Sequence, residues 1–100
     1  YTLSLHDALP ISGTVIDRYG YVGGSYLSPI NTPYKARAVE PGTISKPYNV
    51  YVVKEPIRVY AGEVAPWFGM PGGGTQYYLG DGITVQLLLE GSNPKLEVLK

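Results

Sequence analysis

The chain has 100 residues, a formal charge of zero from eight basic and eight acidic side chains, and 44% apolar residues. That length makes one domain, the charge balance excludes the basic field that draws nucleic acid, and no apolar run is long enough for a membrane-spanning helix. The absence of cysteine excludes a disulfide framework and a thiolate-bound metal site, and leaves the redox compartment open.

Thirteen glycines, nine prolines and ten tyrosines punctuate short β-branched runs, a pattern of strands and turns. The first eleven residues, Tyr-Thr-Leu-Ser-Leu-His-Asp-Ala-Leu-Pro-Ile, match the in-frame translation of a common sequencing-adapter oligonucleotide. Residues 1–12 are therefore read as an assembly artefact and set aside, as a cloning scar would be. His6, the only histidine, goes with them, so neither a Ser-His-Asp system nor a histidine metal site is expected. Losing Asp7 leaves eight basic residues against seven acidic, a charge of +1.

The pattern predicts a strand over 14–17 that runs into Arg18, then a loop marked by Gly20, Gly23 and Gly24. Two prolines bar residues 28–33 from a helix interior, and residues 34–39 suit a short helical turn before Pro41 and Gly42. The clearest strand is 48–53, followed by a second over 57–60 once Glu55-Pro56 breaks the run. Residues 66–74 read as a rigid turn, with Trp67 and Phe68 packed into the core and Gly72 to Gly74 free to approach a substrate. The stretch 83–90 fits either period, with apolar residues at 83, 87 and 88 for a helix or at 83, 85, 87 and 89 for a strand. Asp81 as a cap and Gly91 as a stop favour the helix. Residues 96–99 then close the domain as an edge strand. The expected fold class is α+β, a small mainly-β domain with a twisted antiparallel sheet and one or two short helices.

Four side chains stand out chemically. Arg18 sits at a strand end before a glycine loop, where its planar fork of donors suits phosphate, although a surface arginine paired with a carboxylate reads the same way. Arg37 would be a second cation for a pyrophosphate, or a solvated charge. Tyr26 offers a ring for stacking and a phenol for hydrogen bonding, but a cross-strand role is the default among ten tyrosines. Gln76 follows three glycines, and its amide can hold sugar hydroxyls or orient water without acting as a strong base. No Gly-Lys-Ser/Thr follows the glycines, so this is no nucleotide-hydrolase phosphate loop, and the spacing fits no dinucleotide fingerprint. Asp17, Glu40, Glu55 and Glu63 show no spacing that singles out a glycosidase pair.

Asp17-Arg18-Tyr19-Gly20, Tyr26-Leu27-Ser28-Pro29 and Gly72-Gly73-Gly74-Thr75-Gln76-Tyr77, in that order, resemble the tuberculosis necrotizing toxin family of NAD glycohydrolase domains. The resemblance covers most of the chain from Gly13 onward. It implies cleavage of the nicotinamide–ribose bond, with NAD or NADP as substrate and no cofactor or metal. It also implies Gln76, Arg18 and Tyr26 as catalytic residues, with Arg37, Asn49, Gly73, Gly74 and Thr75 binding substrate. Asn49 falls where relatives commonly carry histidine, and asparagine cannot titrate near neutrality. Relatives have further sequence before the Asp-Arg-Tyr-Gly motif, so residues 13–100 are expected to be an N-terminally truncated domain. The family further implies an exported toxic module acting in a target-cell cytosol, with a cognate immunity protein, no nucleic-acid partner and no membrane insertion. Alternatives are an ADP-ribosyltransferase, whose typical acidic motif is not evident, and a binding module that has lost turnover.

Overall fold

Cross-strand register sorts this chain into a core face and a cleft face. The computed structural model describes residues 6–8 by their strand pairing and residues 13–99 throughout. Apart from 6–8, the segment read as adapter-derived lies outside the described residues. In chain order the strands are β1 (His6–Ala8), β2 (Val15–Tyr19), β3 (Tyr26–Pro29), β4 (Tyr48–Val53), β5 (Val59–Glu63), β6 (Thr75–Tyr78) and β7 (Leu96–Val98). Two 3-10 turns, Tyr34–Arg37 and Thr43–Ser45, lie between β3 and β4, and one helix, α1 (Val85–Leu89), precedes β7. The strands form an antiparallel sheet in the order β1-β5-β6-β3-β2-β4-β7. This is the expected α+β class.

Residues directly opposite in an antiparallel pair share a face. Ile16 lies opposite Tyr51, and Leu27 opposite Tyr77. These faces pack with Val53, Val59, Leu79, Val85 and Leu96 into the core, onto which Leu88 and Leu89 of α1 fold. One residue along, Asp17 lies opposite Ser28 and Val50, and Tyr26 opposite Tyr78, with Gln76 two before it. That second set faces away from the core.

β3 changes partners halfway. Tyr26 and Leu27 pair with β6, whereas Ser28 and Pro29 pair with β2. The sheet therefore consists of two halves, β1-β5-β6 and β2-β4-β7, joined through one four-residue strand.

β4 follows the predicted bounds, and the turn expected over 34–39 is the first 3-10 turn. β5 begins two residues later than expected and runs on through Ala61, Gly62 and Glu63. Ile57 is buried without being in the strand, because Pro56 lacks the N–H that would continue a ladder. Residues 83–90 are helical only over Val85–Leu89. The cap is Thr84, whose hydroxyl accepts from the Leu87 amide at 3.3 Å, while Asp81 instead accepts the Tyr78 hydroxyl. β7 lies at the sheet edge against β4, as expected.

Candidate active site

A cleft of about 200 Å³ opens where β3 switches partners. Its floor is the non-core face of β2, β3 and β6, carrying Asp17, Tyr26, Ser28 and Gln76. One wall is the segment with the two 3-10 turns, which contributes Arg37, Glu40, Thr43 and Lys46, and the other is formed by Trp67 and Phe68.

The floor rests on a buried ion pair. Arg37 Nη1 and Nη2 donate to Asp17 Oδ1 and Oδ2 at 2.7 and 2.9 Å, with both side chains almost fully covered. Arg37 Nε and Nη2 also donate to the Thr32 carbonyl at 3.1 and 2.9 Å, and the guanidinium stacks 4.9 Å from the Tyr19 ring. Tyr48 completes the set by donating its hydroxyl to Asp17 Oδ2 at 2.6 Å. Desolvation first, then this hydrogen bond and the Asp17 charge, push the Tyr48 phenol up to about 12, so it stays a donor at neutral pH. Removing either member of a buried pair typically costs about 3–5 kcal/mol, because its partner is left charged and unpaired. Four of the five N–H groups of Arg37 are thus used inside the protein. Its position in the cleft is that of a floor brace whose charge Asp17 already balances.

Arg18 is placed differently. Its Nε donates to the Tyr21 carbonyl at 2.9 Å and its Nη1 to the Tyr26 carbonyl at 2.9 Å. The glycine loop fits around it, since a Cβ at Gly20 or Gly24 would lie 2.8 or 1.8 Å from Arg18 Nη2. Gly20 and Gly24 therefore leave room for the close approach of this guanidinium. The amide of Gly20 also donates to the Pro47 carbonyl at 2.7 Å, which brings the loop and the Lys46 segment together.

Gln76 is buried on β6, opposite Gly62, which puts no side chain over the amide. Tyr26 lines the cleft with its ring stacked 4.8 Å from that of Tyr78, against which it is paired across the strands.

Trp67 and Phe68 are not core residues: they are 42% and 36% exposed. Trp67 and Met70 exchange backbone hydrogen bonds of 3.1 and 2.8 Å around Phe68 and Gly69, whose φ values are 51° and 73°. Two central residues at positive φ make a type I′ hairpin turn. The turn holds the two rings parallel, 4.6 Å apart and 7° from coplanar orientation, at the cleft wall. The glycines after it serve the chain itself. A Cβ at Gly72 would meet the Val64 carbonyl oxygen at 2.6 Å, and one at Gly74 the Ala36 carbonyl oxygen at 2.9 Å. Gly74 also donates to that Ala36 carbonyl at 3.0 Å, tying the hairpin to the first 3-10 turn.

Of the residues expected to act, Gln76, Arg18, Tyr26 and Arg37 converge on the cleft, whereas Asn49, Gly73, Gly74 and Thr75 are not among its lining residues. Asn49 lies directly across from Arg18 on β4, so both side chains leave their strands on the face opposite the floor, although Arg18, near the end of β2, is still among the lining residues. Sequence reasoning missed Asp17 as the partner of Arg37, and Trp67 and Phe68 as a wall. The signal for the wall was Phe-Gly framed by two apolar residues, a two-residue hairpin loop.

A family profile described as tuberculosis necrotizing toxin matches residues 10–93. The chain belongs to the tuberculosis necrotizing toxin family. It is 40% identical over 76 residues to the conidial surface nicotinamide adenine dinucleotide glycohydrolase of Aspergillus fumigatus, covering 69% of this chain and 32% of that protein. The chain thus spans about a third of the length of this curated relative. The structure of tuberculosis necrotizing toxin complexed with its immunity factor shares the fold, with a TM-score of 0.74 at 24% identity over 91% of this chain and 54% of that one. Tse6, solved in complex with Tsi6, gives a TM-score of 0.59 at 14% identity, covering 98% of this chain and 73% of that one. Among the described residues no helix is long and apolar enough to cross a membrane, and no three potential metal ligands cluster.

Proposed function

We propose that this necrotizing-toxin domain hydrolyses the nicotinamide–ribose bond of NAD or NADP, giving nicotinamide and ADP-ribose. The observation that carries the reading is the convergence of the buried Gln76 amide and Arg18 on one cleft, in a chain 40% identical to an NAD glycohydrolase over their shared region.

The bond breaks with its electron pair passing to the nicotinamide ring nitrogen, which neutralises the ring's positive charge. Water supplies the new C1′–O bond and releases its proton to solvent. Positive charge develops on the ribose on the way, so a carbonyl dipole or a well-placed hydroxyl contact lowers the barrier without a strong base. Gln76 is the amide for that task. Arg18 provides the cation near the dinucleotide's phosphates, and Tyr26, with Trp67 and Phe68 opposite, provides aromatic surface for its rings. Arg37 contributes by holding the floor through Asp17, and Gly73, Gly74 and Thr75 by fixing the loop that precedes Gln76. Asn49, outside the lining, lies opposite Arg18 across β2 and β4.

The reading extends to partners. The related toxin's complex with an immunity factor supports a cognate immunity protein for this domain, and the conidial-surface relative supports an exported module.

The test is nicotinamide release from NAD by purified protein, beside a Gln76→Ala control shown to be folded by circular dichroism. Release should fall by roughly 10²–10³-fold in the control, as for loss of one transition-state hydrogen bond. Undiminished release from the folded variant would remove Gln76 from the mechanism, and no release from folded wild type would leave only a binding module.

A further inference from the structure

The cleft's charges do not all carry the same weight. Asp17 and Arg37 cancel in their buried pair, which leaves Arg18, Glu40 and Lys46 as the remaining charged groups lining it. Nε and Nη1 of Arg18 are committed to the Tyr21 and Tyr26 carbonyls. A dinucleotide carries two negative charges on its pyrophosphate, and the Glu40 carboxylate on the same wall repels them. A second cation is needed on that wall, and Lys46 is in position to be one.

Lys46 closes the second 3-10 turn, where its backbone amide donates to the Thr43 carbonyl at 2.9 Å. Thr43 is buried in the cleft wall and anchors the turn. The next residue, Pro47, accepts from Gly20, so Lys46 emerges beside the loop that cradles Arg18. Lys46 is among the residues lining the cleft, is exposed, and makes no ion pair with any described residue. An ammonium at a cleft and without a carboxylate partner suits a phosphate oxygen.

We propose that Lys46 is the residue that receives the pyrophosphate of the substrate, together with Arg18, and that it sets affinity without entering the bond-breaking step. This rests on the dinucleotide reading of the cleft. It assigns a binding role to a residue that no motif in the sequence marks, and it gives Arg37, the other cation of the cleft, a bracing role instead.

The experiment measures NAD hydrolysis by wild type, Lys46→Ala and Lys46→Arg, and calorimetric binding of ADP-ribose and of adenosine to the same proteins. Lys46→Ala should raise KM for NAD and weaken ADP-ribose binding by about tenfold, with kcat unchanged, and Lys46→Arg should restore both. Adenosine, which has no phosphate, should bind all three proteins alike. An unchanged KM in a wild-type background that hydrolyses NAD overturns the proposal while leaving the glycohydrolase reading intact. An equal loss for adenosine also overturns it, because the effect is then not on phosphate. Wild type that neither hydrolyses NAD nor binds ADP-ribose overturns the parent reading, and the proposal falls with it.

Discussion

A methyl group at position 24 would stand 1.8 Å from Nη2 and 2.2 Å from Cζ of Arg18. Both atoms are at the far end of a flexible side chain, so the guanidinium moves and the backbone does not. Gly24→Ala should therefore leave the unfolding midpoint nearly unchanged. It should also break the hydrogen bonds from Arg18 to the Tyr21 and Tyr26 carbonyls and shift the cation by an ångström or more. Misplacement on that scale costs roughly 10²-fold in rate. Thermal unfolding measured beside kcat/KM for NAD checks both halves, and a variant that unfolds easily yet remains active would show that the loop matters for folding alone. Arg37 shows the contrary case at the same scale. Its charge looked available in the sequence, but Asp17, twenty residues away, neutralises it, and no local pattern announces that pairing. Arg18 and Gln76 were legible because each lies in a short motif. Lys46, in a plain Ser-Lys-Pro, becomes a site residue only through the contact between Gly20 and Pro47.

The elements that could be read from sequence are those whose own residues demand them. β4 is a run of tyrosines and valines, and its predicted and observed bounds agree because β-branched and aromatic side chains suit a pleated strand on their own. Ala61, Gly62 and Glu63 have no such preference, and they are strand only because β6 supplies their partners. The Trp67–Met70 hairpin is the instructive miss, since its turn places a phenylalanine at φ 51°, where bulky residues are rare. Left-handed backbone costs a residue with a Cβ roughly 1–2 kcal/mol. The half-exposed stack with Trp67 returns at most about 0.5–1.5 kcal/mol, so the turn runs at a small deficit that the wall's function explains. Asparagine takes this conformation readily. Phe68→Asn should raise stability by about 0.5 kcal/mol, read as a midpoint increase of roughly 2–4 °C, while raising KM for NAD. A variant that is less stable than wild type would show that the ring is held for packing.

At the scale of the whole molecule the cleft joins two half-sheets. Its floor takes Asp17 from β2 and Gln76 from β6, and the only strand connecting the halves is β3, which gives each half two residues. A ligand in the cleft therefore touches both sides of the junction, and binding should stabilise the sheet as one unit. Stabilisation follows RT ln(1 + [L]/Kd), about 1.4 kcal/mol at ten times Kd. For a domain of 100 residues that corresponds to a rise in midpoint of roughly 6–10 °C. Calorimetric scans with increasing ADP-ribose should show a single transition that moves upward with the logarithm of concentration once the cleft is saturated. Two transitions, of which only one moves, would mean that β3 couples the halves too weakly to share the binding energy. The cleft would then belong to whichever half responds. One transition that does not move would mean that ADP-ribose does not bind the folded domain. A single moving transition would tie substrate binding to the partner switch in β3, the one place in this fold where Asp17, Ser28, Tyr26 and Gln76 face the same space.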